Sequence, residues 1–285
     1  MTDGPGYPAS QHEFLLRRLH SLAGLLPIGA FLVFHLGTNA TVALNGVAGE
    51  DVFQTQVDRI HALGPLVYPL EILFIFLPLA FHAGLGVKMW LQGQPNTTRY
   101  PYWGNIRYTL QRVTGVIALL FILVHLWQMH WLGGLVGGGG YFNPKEATGT
   151  AAGVLQFKGA WVAPFYALGT LAAVFHFANG IWTGLITWGI TVGRNAQRKA
   201  GYVCAVVGLV LAVFGLSSIR SLMHVPDAVP PTPRHGASAP PTARHEVPGR
   251  HPDESRPGRD GAGGHQLPDR GADLQSRDRQ GAENG

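Results

Sequence analysis

Five long apolar runs alternate with short polar segments over the first 225 residues, near 20–43, 65–90, 108–133, 161–188 and 202–223. Each meets the roughly 20 residues that a helix needs to cross a hydrocarbon core. None carries the polar stripe of a helix lying half in water. The pattern predicts an all-α integral membrane fold, five transmembrane helices in one bundle. Pro27, Pro69, Pro78 and Pro164 fall inside or at the edges of these runs, and spanning helices tolerate them with local kinks. The first run follows Arg17 and Arg18 and passes Pro27 without an A-x-A site. It is expected to be a retained span rather than a cleaved signal.

From Pro226 the pattern stops. Residues 226–285 are rich in Pro, Gly, Arg, Asp and His and nearly devoid of aliphatic side chains. Such a segment cannot bury a core and is expected to be a disordered tail behind a 1–225 membrane domain. His235, His245, His251 and His265 are spaced too widely there to read as a metal tract.

Composition sharpens the membrane reading. Only 13% of residues are charged, against about 25% in ordinary soluble domains. Up to Val225 there are thirteen Lys and Arg and seven acids; the tail adds eight Arg and nine acids. The net charge of +5 is therefore a basic membrane body plus a mixed-charge tail, with no implication of nucleic acid. Basic residues also favour one set of span ends: Arg17, Arg18, Lys88, Arg99, Arg107, Arg112, Arg194, Arg198 and Lys199, against Arg59, Lys145, Lys158 and Arg220. Positive charge stays inside, so the N-terminus is expected in the cytoplasm and the C-terminus outside. Cys204 is the single cysteine. It excludes an internal disulfide, a covalently attached haem and a resident Cys-ligated iron–sulfur cluster.

Ionisable groups within spans mark functional sites by default. Four of the five runs carry one interior histidine each: His35, His82, His125 and His176. Because alternate spans run in opposite directions, counting from the span ends puts His35 level with His125, roughly 22–26 Å from the cytoplasmic face. The same count puts His82 level with His176, nearer that face. Two imidazoles facing each other match a six-coordinate, bis-histidine haem iron suited to electron transfer. Two such pairs predict two haems b, the outer on His35 and His125 and the inner on His82 and His176. Gly24, Gly29, Gly84, Gly86, Gly115 and Gly180 lie on the same helices and permit close approach.

Arg18, His20, Ser21 and Arg112 stand at the cytoplasmic end as candidate propionate contacts, although positive-inside anchoring explains the arginines equally well. Glu71 is the one acid within a run. It admits two readings, proton exchange at a quinone site beside the outer haem, or a helix-end carboxylate reaching water. Trp127, Tyr68, Trp182 and Trp188 read as interface or packing aromatics, and His61 and His130 as solvated residues near the outer surface.

These segments form a recognisable series: RRLHSLAG near Arg17, FLVFHL around His35, LEILFIFLPLAFHAGLG around His82, LQRVTG at Leu110 and FHFANGIW around His176. From about Glu13 to Val225 the chain resembles the cytochrome b558 membrane-anchor subunit of succinate:quinone oxidoreductase, in its single-chain, five-helix, dihaem form. The resemblance implies that His35, His82, His125 and His176 are haem ligands, paired first with third and second with fourth. It implies a complex in the bacterial cytoplasmic membrane, with a flavoprotein subunit oxidising succinate and an iron–sulfur subunit passing electrons to this anchor and on to menaquinone. Some fumarate-reducing relatives carry an acid two positions before the fourth ligand. Here that position is Val174, which favours succinate oxidation. The alternatives are a dihaem anchor for fumarate reductase or for another membrane dehydrogenase, such as formate dehydrogenase or hydrogenase, and, in a different class, a proton-coupled transporter with intramembrane histidines.

Overall fold

Without water to satisfy backbone N–H and C=O groups, a chain crossing a bilayer must satisfy them within itself. The computed structural model does so with helices throughout. It describes residues 11–46, 51–93, 97–157 and 161–232, all within the compact unit 1–239. Nearly all of the tail expected at 226–285 lies outside the described residues, including its four histidines, as does Lys158.

Five helices are long and apolar enough to span a membrane: His12–Leu44, Gly64–Gln92, Trp103–Met129, Val162–Thr187 and Arg194–Leu222. The first and fifth begin eight residues before the apolar runs that announced them. Helical hydrogen bonding continues there through polar turns, whose Arg17, Arg18, Arg194 and Arg198 carry long apolar stems with charged tips. The third span ends sooner than expected, at Met129. His130 turns into extended backbone (φ −106°, ψ 150°) and its Nδ1 accepts the Leu132 N–H at 3.3 Å, starting the short helix Trp131–Val136.

Two spans widen locally. Gly24–Ile28 in the first and Ile72–Phe76 in the second are π-helical turns, and the two turns touch. Pro27 sits inside one, and Pro78 follows the other by two residues. A proline has no N–H for the regular ladder, and a wider turn takes up the resulting mismatch.

The fourth span is the hub, packing on both the third and the fifth, while the fifth also packs on the first. Leu36, Val174 and Leu211 bring the first, fourth and fifth spans together in one small cluster. A larger cluster closes the end opposite the arginine-rich one, where Val42, Phe121, Val162 and Leu222 meet the short helices Val52–His61 and Ala147–Gln156. Elsewhere large apolar side chains point outward, among them Leu73, Phe74, Leu120, Leu123 and Leu209. That distribution suits helices whose outer faces meet lipid tails.

Gln54 pins the cap. Its amide nitrogen donates to the Pro144 carbonyl at 2.7 Å and to Asp58 at 2.8 Å, and its oxygen accepts the Ala147 N–H at 2.7 Å. Ala147 is fully buried. Gln54→Leu should leave its N–H unpaired at a cost of about 1–3 kcal/mol. Hydrogen exchange should accelerate at Ala147 and along Ala147–Gln156, with the spans unaffected.

Candidate functional site

The four intramembrane histidines meet in two couples. The rings of His82 and His176 lie 6.0 Å apart, centroid to centroid, at an interplanar angle of 86°. Those of His35 and His125 lie 5.8 Å apart at 73°. Each couple joins helices distant in sequence, the second span with the fourth and the first with the third. Contacts along the third span give their separation: Gly115 faces the His176 ring, and His125 follows ten residues later, roughly 15 Å along the axis. The sites therefore occupy two levels.

The couple of His82 and His176 is held from behind. His82 Nδ1 donates to the His20 carbonyl at 2.9 Å, and His176 Nδ1 donates to the Gln111 carbonyl at 2.9 Å. A carbonyl only accepts, so the proton is on Nδ1 in both rings and each Nε2 keeps its lone pair. Two glycines make the approach possible. A Cβ at Gly24 would stand 2.4 Å from His82 Cε1, and one at Gly115 would stand 2.9 Å from His176 Cε1. His20 lies flat on the His82 ring, 4.0 Å between centroids and 8° from parallel.

A partly buried polar chain continues outward from His176. Gln111 donates its side-chain N–H to the His176 carbonyl at 3.0 Å, Asn179 donates to Gln111 Oε1 at 2.8 Å, and Arg107 Nε donates to Asn179 Oδ1 at 2.7 Å. The Arg107 guanidinium lies 3.7 Å above the Trp182 ring. Sequence reasoning passed over Gln111, Asn179 and Arg107, although two of them stand inside the segments LQRVTG and FHFANGIW. For Asn179 the available signal was an amide in a span three positions from His176.

The couple of His35 and His125 is packed rather than pinned. Phe31 stacks beside His35 at 5.2 Å, Phe121 beside His125 at 5.6 Å, and Tyr166 meets the His125 ring edge-on at 5.8 Å. Tyr166 donates its hydroxyl to Gln128 at 2.9 Å. Asn39 donates to His35 Nε2 at 3.0 Å, while His125 Nδ1 is buried without a partner.

The remaining candidates are scattered between the two ends. Arg18 Nε and His20 Nδ1 are buried and unpaired, with the Arg18 guanidinium against Phe14 at 4.4 Å and Trp188 at 5.2 Å. Ser21 Oγ lies opposite Gly184, 3.3 Å from where its Cβ would stand. Arg112 closes the end of the second span, donating to the carbonyls of Met89 and Trp90 and to the Tyr108 hydroxyl. Glu71 approaches His130 Nε2 at 3.4 Å, both side chains largely buried. His130 is thus not the solvated residue that its position suggested; Phe76 and Trp131 flank it at 5.1 and 5.2 Å. His61, by contrast, is exposed. Trp182 is half-buried and donates to the Gln197 carbonyl, whereas Trp127, Tyr68 and Trp188 are exposed.

Among the described residues no three or more His, Cys, Asp or Glu side chains cluster as they would around a bare metal ion. Couples fit a metal whose other positions a macrocycle fills. Two imidazoles trans on one metal, with bonds of the zinc–histidine length of about 2.0–2.1 Å, would have centroids about 6 Å apart. Both couples match that spacing. With Nδ1 pinned, the Nε2 lone pairs of His82 and His176 are the donors a haem iron takes; in the other couple His125 Nδ1 is unpaired and His35 Nε2 accepts the Asn39 N–H.

Comparison with known proteins decides the family. The succinate dehydrogenase/fumarate reductase transmembrane subunit family matches residues 94–215. The succinate dehydrogenase cytochrome b558 subunit of Bacillus subtilis (strain 168) is 36% identical over 211 residues, covering 74% of this chain and 98% of that relative. This chain belongs to the succinate dehydrogenase/fumarate reductase transmembrane subunit family. It is a multi-pass membrane anchor, and the membership sets aside both the transporter and the anchor of an unrelated dehydrogenase.

Asn179 carries two links of the polar chain. Asn179→Leu should leave Arg107 Nε and Gln111 Oε1 unpaired and destabilise the bundle by about 1–3 kcal/mol. A lowered thermal midpoint in detergent would register it; an unchanged midpoint would mean that the chain contributes nothing.

Proposed function

We propose that this anchor holds two haems b and serves a succinate dehydrogenase, passing electrons from an iron–sulfur subunit to menaquinone. The observation supporting it is the presence of two cross-helix histidine couples at two depths, His82 with His176 and His35 with His125. Each haem, when bound, supplies a six-coordinate one-electron centre suited to electron transfer rather than oxygen binding.

The chain's own residues do the rest. The carbonyls of His20 and Gln111 orient the inner ligands and raise their basicity, as outer partners of metal-bound histidines do. Arg18, His20 and Ser21 line the edge of the inner site. The unpaired Arg18 Nε and His20 Nδ1 make them the proposed propionate partners, and Arg112 adds positive charge at the same end. At the other end Glu71 and His130 stand as a carboxylate–imidazole couple. Such a couple can hold and deliver a proton to a quinone oxygen. This is the quinone reading of Glu71, with His130 added to it.

Charge orients the bundle. Its arginine-rich end faces the cytoplasm, where the iron–sulfur and flavoprotein subunits dock, and the C-terminus faces outward in a bacterial cytoplasmic membrane. Val174, buried and aliphatic two positions before His176, offers no proton path along the fourth span and favours succinate oxidation.

A reduced-minus-oxidised spectrum with pyridine haemochrome quantification tests the reading. About two protohaems per chain with low-spin bands are expected; none in a folded protein would overturn it. His35→Ala or His125→Ala should remove one haem and spare the other. Gly115→Ala should selectively deplete the His82–His176 haem, because the added methyl occupies the place of the His176 ring edge.

A further inference from the structure

Between the third, fourth and fifth spans lies a cleft of about 860 Å³ that neither histidine couple uses. Its mouth carries three guanidinium groups, Arg107, Arg194 and Arg198, and no acid lines it. Arg107 commits Nε to Asn179 and a face to Trp182, which leaves its terminal nitrogens for another partner. Arg198 reaches the Asn195 side chain at 3.2 Å. Arg194 makes no hydrogen bond or ion pair with another described residue. Three like charges at one opening repel each other, and an anion between them offsets that cost.

Behind the mouth the walls are apolar. Leu171, Phe175 and Ala178 come from the fourth span, and Gly208, Leu209 and Ala212 from the fifth. Gly208 lets the two helices close, since a Cβ there would stand 3.1 Å from Ala178 Cβ. From Gly201 at the charged end to Ala212 the fifth span rises roughly 16 Å. That is half of a hydrocarbon core about 30 Å thick, so the cleft runs one leaflet deep from a cationic mouth. A neutral quinone head has no use for three cations, and a free phosphate has none for a long apolar wall. A phosphate-headed amphiphile uses both, as in basic pockets between membrane helices.

We propose that this cleft binds one anionic phospholipid, its phosphate diester held by Arg107, Arg194 and Arg198 and its acyl chains lying along the fourth and fifth spans. The inference is independent of the haem reading. The full-length protein in phosphatidylcholine nanodiscs doped with phosphatidylglycerol provides the test, read by native mass spectrometry. One phosphatidylglycerol per chain should survive activation that strips phosphatidylcholine. Arg194→Gln with Arg198→Gln should cut that retention about tenfold, and so should Ala212→Phe, which fills the wall and leaves the arginines intact. A thermal midpoint in detergent equal to that of the unaltered protein would show each variant to be folded. Equal retention in all three proteins would overturn the proposal. Loss on the arginine changes alone, or displacement by millimolar inorganic phosphate, would reduce the cleft to a simple anion site and also overturn it. Retention of a neutral quinone in place of the lipid would do the same.

Discussion

A hydrogen bond from His176 Nδ1 to the Gln111 carbonyl decides which face the imidazole offers to the middle of the bundle. Its counterpart, His82 Nδ1 to the His20 carbonyl, does the same across the gap. With both protons committed to backbone oxygens, the two Nε2 atoms are left as bases in an apolar interior. The rest of the inner site serves this arrangement. Gly24 and Gly115 remove the methyls that would strike the rings, and Asn179 and Gln111 hold the helix that carries His176.

The two couples differ in how they are restrained. Helix backbone holds the rings of His82 and His176, and the stacked ring of His20 covers one of them. Aromatic neighbours, Phe31, Phe121 and Tyr166, surround the rings of His35 and His125. Hydrogen bonds to a metal-bound imidazole increase its basicity, whereas aromatic walls mainly lower the local dielectric. The two couples therefore share a side-chain type and differ in what restrains it, backbone carbonyls in one and aromatic rings in the other.

The bundle separates its tasks by depth. The larger apolar cluster sits at the end opposite the arginine-rich one, where short helices cover the span ends. Glu71 and His130 lie at that end too. The arginine-rich end is looser, with a cleft between spans and guanidinium groups short of partners. Arg107 belongs to both the cleft and the polar chain that ends on His176, so the cleft and that histidine couple share one residue.

Much of this was legible in the residues. Hydrocarbon thickness sets a length and a composition that any spanning helix must meet, so five spans could be counted. Ionisable side chains are so costly in a span that four histidines identified themselves, and alternating helix direction paired them. The turn at His130 was not legible, because it depends on Glu71, fifty-nine positions away, and on its own capping of Leu132. Nor was the choice of Nδ1 as the anchored nitrogen, since the accepting carbonyls lie sixty-two and sixty-five positions from their histidines. Local spacing carries period, length and cost of burial, and these determined the helices and which histidines pair. Which carbonyl, which glycine and which arginine face a given ring is a matter of how helices cross, and only the packed bundle decides it.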